Sequence, residues 1–188
     1  ESPGVSTRPI LLISGNSPFC ETFFDDVKVP KDQIVGEVNK GWDVAKYLLG
    51  HEREMISGMG LGGEKQALGS AVGGVDDPLL RADIADFDVD SLAFAAMSEQ
   101  FIDQLKAGEA HPAMPSVMKY VGTELNKRRH ELAMAAGGSD ALEWDSERSK
   151  GGKPARDWLR TKGNSIEGGT SEVQLGIVAK HILRLPGA

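Results

Sequence analysis

One cysteine, Cys20, is all that this 188-residue chain contains. A disulfide framework is therefore excluded, and the chain fits a reducing compartment, with the cytoplasm as the expectation. Positive charge is also short. Lys and Arg number 21 against 28 Asp and Glu, a net charge of −7. That balance disfavours nucleic acid or an anionic membrane surface as partner. No apolar run approaches the ~20 residues of a membrane span, and no secretory leader is visible. His51, His111, His130 and His181 lack metal-ligand spacing to Cys or carboxylates. They read as surface or packing histidines, and no metal site is expected. Internal repeats and low-complexity tracts are absent too. The chain opens at Glu1, without methionine and in mid-pattern, so the expectation is a C-terminal fragment of a longer protein.

What is present is punctuated into segments. Residues 1–36 alternate short apolar runs with Pro and Gly: Pro9 to Ile13, Cys20 to Phe24, Val27 to Val29. Two or three short strands are expected there, with Cys20 as a small buried strand residue. From Asn39 the pattern turns helical, with Trp42, Ala45, Leu48 and Leu49 on one face. Asp77-Pro78 reads as a cap residue followed by Pro at the first helical position. The stripe Leu80, Ile84, Phe87, Phe94, Met97, Phe101 and Leu105 follows, and Gly108 is its expected stop. Pro115-Ser116 opens the next helix, with Val117, Tyr120, Val121, Leu125 and Leu132 on its stripe and a C-cap expected at Gly137-Gly138. Within it, Lys127-Arg128-Arg129-His130 is expected to form i,i+4 pairs, such as Glu124 with Arg128. Residues 139–157 read as a loop, with Lys150 to Pro154 as a mobile segment. Trp158 and Leu159 mark a short helix before the last one. Four or five helices with strands only at the start predict a mainly α chain, a helix bundle carrying a short N-terminal β remnant.

The densest signal lies near the end, in Asn164-Ser165-Ile166-Glu167-Gly168-Gly169-Thr170-Ser171-Glu172-Val173-Gln174. Ser171 and Gln174 have capping-box spacing, and Val173, Ile177, Val178, Ile182 and Leu185 continue as a helical stripe. Two readings fit these residues. One is a loop-to-helix junction that needs positive φ. The other is a helix start whose N–H groups and positive dipole end face a ligand.

A second stretch bears on that choice. Phe23-Phe24-Asp25-Asp26-Val27-Lys28-Val29-Pro30 leads through Val35-Gly36-Glu37 to Lys40-Gly41-Trp42, then to Leu48-Leu49-Gly50-His51-Glu52-Arg53. Together with the Gly-Gly-Thr-Ser turn and the tail Ile177 to Pro186, it resembles the acyl-CoA dehydrogenase family. The resemblance implies that residues 1–36 are the end of a middle β-domain and residues 37–188 a C-terminal helical bundle domain. It also implies FAD as cofactor, an acyl-CoA substrate and an acceptor like electron-transfer flavoprotein. A homo- or hetero-oligomer, dimer or tetramer, is implied as well.

In that family a carboxylate removes the α-proton of the thioester while the β-hydrogen leaves as hydride. Many members place the Glu directly before the Gly-Thr of the turn, where this chain has Gly168. Glu167 is one residue off, and the role is not carried over to it. A subset takes its base from the first helix of the domain, immediately before an Arg. On that pattern Glu52 is the catalytic base, and Arg53 and Gly169 touch substrate. Thr170, Ser171 and Glu172 correspond to flavin-contact positions. Two departures stand out. The family's Arg-x-x-Phe-Gly is missing from Gly62 to Gly69, and the Gln before its Gly-Gly pair is Met134. The missing Arg-x-x-Phe-Gly and the Gly at 168 favour an alternative, a non-catalytic assembly module of a hetero-oligomeric dehydrogenase, while Glu52-Arg53 and Gly169-Thr170-Ser171 favour the enzyme. Under either reading the chain by itself is expected to be inactive and to bind FAD weakly or not at all.

Overall fold

The computed structural model describes residues 2–59 and 66–187, leaving aside the side chains of residue 50 and residues 53–59. Two compact units are present, residues 1–51 and residues 52–188. The first holds an antiparallel hairpin, β1 (Val5–Ile10) and β2 (Phe19–Phe24), with Val5 opposite Phe24 and Ile10 opposite Phe19. A proline is tolerated in β1 because Pro9 lies in a two-stranded ribbon, where every strand is an edge. Leu11 to Ile13, expected to extend a strand, instead form a turn in which the Leu12 amide donates to Asn16. Val27 to Val29 join no sheet. Cys20 is exposed, not buried, because the ribbon is open along nearly its whole length. Helix α1 (Gly41–Met59) begins in this unit and ends in the next.

The second unit contains α2 (Leu68–Val72), α3 (Pro78–Ala107), α4 (Met114–Leu142), α5 (Lys153–Thr161) and α6 (Ser171–His181). Asp77 caps α3 as expected, its carboxylate accepting from the Leu79 and Leu80 amides at 2.8 and 3.4 Å. Gly108 closes that helix in the left-handed conformation. Asp88 of α3 reaches back to cap α2, accepting from Leu68 and Gly69 at 2.7 and 3.0 Å. Leu68, Ile84 and Phe87 form the apolar centre, flanked by Leu80, Leu125 and Leu132. The helices α3 and α4 run antiparallel. Phe94 packs over Gly122, where an added Cβ would lie 2.9 Å from the ring, and Arg128 lies near Phe87 and Asp90.

Three local expectations are corrected here. Arg128 pairs with Asp90 of α3 at 2.6 Å, and Glu124 pairs with Lys127. An oppositely charged group on the neighbouring helix outcompetes the i,i+4 partner. The break at Gly138 does occur (φ 55°, ψ −139°), yet one more helical turn follows it to Leu142. Finally, Lys150 to Pro154 is a built turn. Ser149 is 1% exposed and its hydroxyl accepts from the Gly152 amide at 2.9 Å. A Cβ on Gly152 would fall 2.1 Å from the Trp144 carbonyl oxygen.

α4 packs against α3 on one side and against α5 and α6 on the other. Its most buried residues are accordingly Ser116, Met118 and Lys119 rather than the apolar stripe. The second of these faces carries the polar network described next.

Candidate functional site

Two consecutive glycines with positive φ, Gly168 at 68° and Gly169 at 94°, turn the chain into α6. The helix is capped by Thr170, whose hydroxyl accepts from the Val173 amide at 3.3 Å. The cap therefore lies one residue before the expected Ser171. Gln174 does not reach back in a capping box. Its Nε2 donates to the Gly168 carbonyl at 2.9 Å, because the two glycines fold that carbonyl back against the helix. Gln174 is 1% exposed, and among the described residues its Oε1 has no partner. Gly169 abuts this amide so closely that a Cβ would lie 2.4 Å from Nε2.

Beneath the turn lies a charged layer. The Ser171 hydroxyl donates to Glu124 at 3.2 Å. Lys127 donates to Glu124 at 2.9 Å and to the Ser165 hydroxyl at 2.6 Å. Burial alone would raise the Glu124 pKa. The Lys127 hydrogen bond and charge, with the Ser171 and Ser165 hydroxyls, outweigh it and hold the carboxyl below its ordinary value. On the other side, Arg160 grips Glu167 with both guanidinium nitrogens, at 2.8 and 3.3 Å, and Asn164 Nδ2 donates to the same carboxylate. Burial opposes ionisation here as well, and the Arg160 and Asn164 bonds overcome it, so Glu167 also sits below the usual carboxylate range. Asn126 binds the Asn164 side chain at 2.9 Å, and Lys119 binds its carbonyl at 2.9 Å.

The site residues read from sequence separate into two groups. Gly169, Thr170, Ser171 and Glu172 share one turn. Within it Ser171 is nearly sealed and its hydroxyl is spent on Glu124, so a ligand would meet its backbone. Glu172 is exposed in the first helical turn, and its own amide and the Thr170 hydroxyl keep it ionised to lower pH. Glu52 lies apart in sequence, half-buried on α1. The Arg53 side chain, and the first half of the span lacking Arg-x-x-Phe-Gly, lie outside the described residues. Sequence reasoning missed Lys119, Asn164 and the inward turn of Gln174, all of which face partners on other elements.

The model of the acyl-CoA dehydrogenase C-terminal domain matches residues 39–183. The chain belongs to the acyl-CoA dehydrogenase family. Among curated members, acyl-CoA dehydrogenase FadE34 of Mycobacterium tuberculosis is 32% identical over 187 residues, covering 98% of this chain and 25% of that protein. Acyl-CoA dehydrogenase IpdE1 of the same organism is 30% identical, covering 99% of this chain and 49% of that one. The chain thus spans a quarter to a half of these relatives. Among solved structures, the Tcur3481-Tcur3483 steroid ACAD superposes with a TM-score of 0.82 at 23% identity, over all of this chain and 50% of that one. At that identity the superposition establishes the fold: the helices form an acyl-CoA dehydrogenase C-terminal domain. Among the described residues no helix is long and apolar enough to cross a membrane.

Proposed function

We propose that the protein carrying this chain oxidises an acyl-CoA thioester to its 2-enoyl-CoA, with Glu52 as the base that takes the α-proton. Residues 1–36 are the end of its middle β-domain and residues 37–188 its helical domain. The observation that carries the site assignment is the state of the turn. Gly168 has no side chain, and the Glu167 carboxylate is gripped by Arg160 and Asn164 and held ionised. A base for a weakly acidic carbon needs a desolvated carboxylate with a raised proton affinity. Glu167, held ionised by its partners, lacks that raised affinity, which supports the family pattern with its base on the first helix, here the half-buried Glu52. Arg53 next to it supplies a cation for the thioester.

The turn fits FAD. At Gly169 the backbone is bare where any side chain would collide with Gln174. Thr170, Ser171 and Glu172 would hold the cofactor through the first-turn backbone and the Thr170 hydroxyl, and Gly169 would face the thioester. Bound FAD supplies the two-electron acceptor. An acceptor of the electron-transfer flavoprotein kind and a homo- or hetero-oligomeric assembly complete this reading.

The assembly-module reading has one observation in its favour: the Ser171 and Thr170 hydroxyls already serve the fold, at Glu124 and at the helix cap. The experiment that separates the two compares the full-length protein, wild type and Glu52→Gln, on an acyl-CoA panel with an artificial electron acceptor. Gln keeps the size and removes the base. Loss of about 10²–10⁴-fold in turnover with FAD retained supports the base assignment. Equal activity of the two forms overturns it. A wild type that binds no FAD and reduces no acceptor alone points to the assembly role.

A further inference from the structure

Among the described residues, Lys119 is the only charged side chain that the fold seals, at 2% exposure. An ammonium in that position is costly, and an apolar side chain would fill the same space at less cost. The ammonium is not merely tolerated, however. Its Nζ donates to the main-chain carbonyl of Asn164, 45 residues away, at 2.9 Å. The Asn164 side chain is held independently, accepting from Asn126 and donating to Glu167. Asn164 is thus bound at its carbonyl, its amide oxygen and its amide nitrogen, just before the Gly168–Gly169 turn.

We propose that Lys119 is the positioning residue of this turn, its ammonium pinning the Asn164 carbonyl so that it fixes where α6 begins. The electrostatics agree. Burial lowers the Lys119 pKa, and the charges of Glu124, Glu167 and Glu172 pull it back up against the repulsion of Lys127. The hydrogen bond ties α4 to the segment after α5, just before the turn into α6. An uncharged side chain could fill the space but could not hold that carbonyl with a charge-assisted bond. The catalytic consequence of this role rests on the dehydrogenase reading; the structural one does not.

The test is hydrogen exchange on the full chain, wild type against Lys119→Met, which keeps the aliphatic stem and removes the charge. Amides of residues 164–173 should exchange about tenfold faster in the variant, while those of 84–101 in α3 stay unchanged. A folded variant with wild-type exchange in the turn overturns the proposal. So does a loss of protection spread evenly over α3 and α4, which marks a generally structural lysine. Should the Met variant not fold, Lys119→Gln, which keeps a donor without the charge, is read by the same two criteria. In the full-length protein the same substitution should lower kcat about 10- to 100-fold and change KM by less than about threefold, as expected when reacting groups are misplaced rather than unbound. Absence of activity in the wild type would count against the dehydrogenase reading alone and leave the exchange result to decide the role of Lys119.

Discussion

Replacing Gly169 by alanine tests the construction of the turn. At φ 94° the backbone lies where L-residues rarely go, which costs about 1–2 kcal/mol for a single non-glycine residue. The new Cβ would also sit 2.4 Å from Gln174 Nε2. On a surface residue that end would swing aside, but Gln174 is 1% exposed and has nowhere to go without breaking its bond to the Gly168 carbonyl. Losing that bond and leaving a shielded carbonyl unpaired adds about 1–3 kcal/mol. The sum, about 2–5 kcal/mol, corresponds to a fall in Tm of roughly 5–15 °C for a chain of this size. Thermal unfolding followed by far-UV circular dichroism measures it. The two components separate in a double-mutant cycle. In a Gln174→Ala background the collision is gone, and Gly169→Ala should cost only the backbone part, about 1–2 kcal/mol. Equal cost in both backgrounds, or a single variant within about 1 °C of wild type, would refute the reasoning.

The Gly152 turn should be less forgiving still, because the obstructing atom is the Trp144 main-chain oxygen at 2.1 Å rather than a side-chain end. Gly152→Ala is expected to cost about 3 kcal/mol or more. At Gly151 (φ 69°), where the space is open, Ala should cost only about 1–2 kcal/mol, so urea midpoints of the pair isolate the close approach. Glu167 gives a pH test. Its folded pKa is depressed, so the folded state binds fewer protons than the unfolded one around that pKa. Its contribution is full above the unfolded value near 4.5 and disappears as pH falls through the folded value. Glu167→Gln should therefore lower stability by about 1 kcal/mol at neutral pH, the modest figure expected of a pair that is one-third exposed. The gap between the two forms should close on acidification. A gap independent of pH would mean that the carboxylate is not held ionised by Arg160.

What the sequence made legible is what each segment decides by itself. Asp77-Pro78 and Gly108 bound α3 as read because a cap needs only the residues of its own first or last turn. The apolar stripe of α3 was legible too, and its Ile84, Phe87 and Phe101 are buried. The stripe of α4 was legible only in part: Leu125 and Leu132 do flank the apolar centre, but the helix has two partner faces. A helix packed on both sides has no single stripe, and Lys119, which the apolar pattern skips, is 2% exposed.

The candidate site repeats this division at the scale of single atoms. The Gly-Gly-Thr-Ser turn was visible because its φ requirements and its cap are local. The direction of its side chains was not. Ser171 bonds Glu124, 47 residues earlier, and Lys119 bonds Asn164, 45 residues later. Even the one-residue shift of the cap follows from tertiary structure. Thr170 and Ser171 carry equivalent hydroxyls, and Ser171 fits the capping-box spacing. Glu124 on the adjoining helix claims Ser171 and leaves the helix amide to Thr170. The same competition decides which carboxylate is free for chemistry. Glu167 has the composition and nearly the position of a base. A guanidinium seven residues earlier makes it a strut instead. A residue type at a spacing therefore nominates a carboxylate, and the partner that holds it ionised removes the nomination. The proposal that the base lies on α1 is therefore decided by Glu52→Gln.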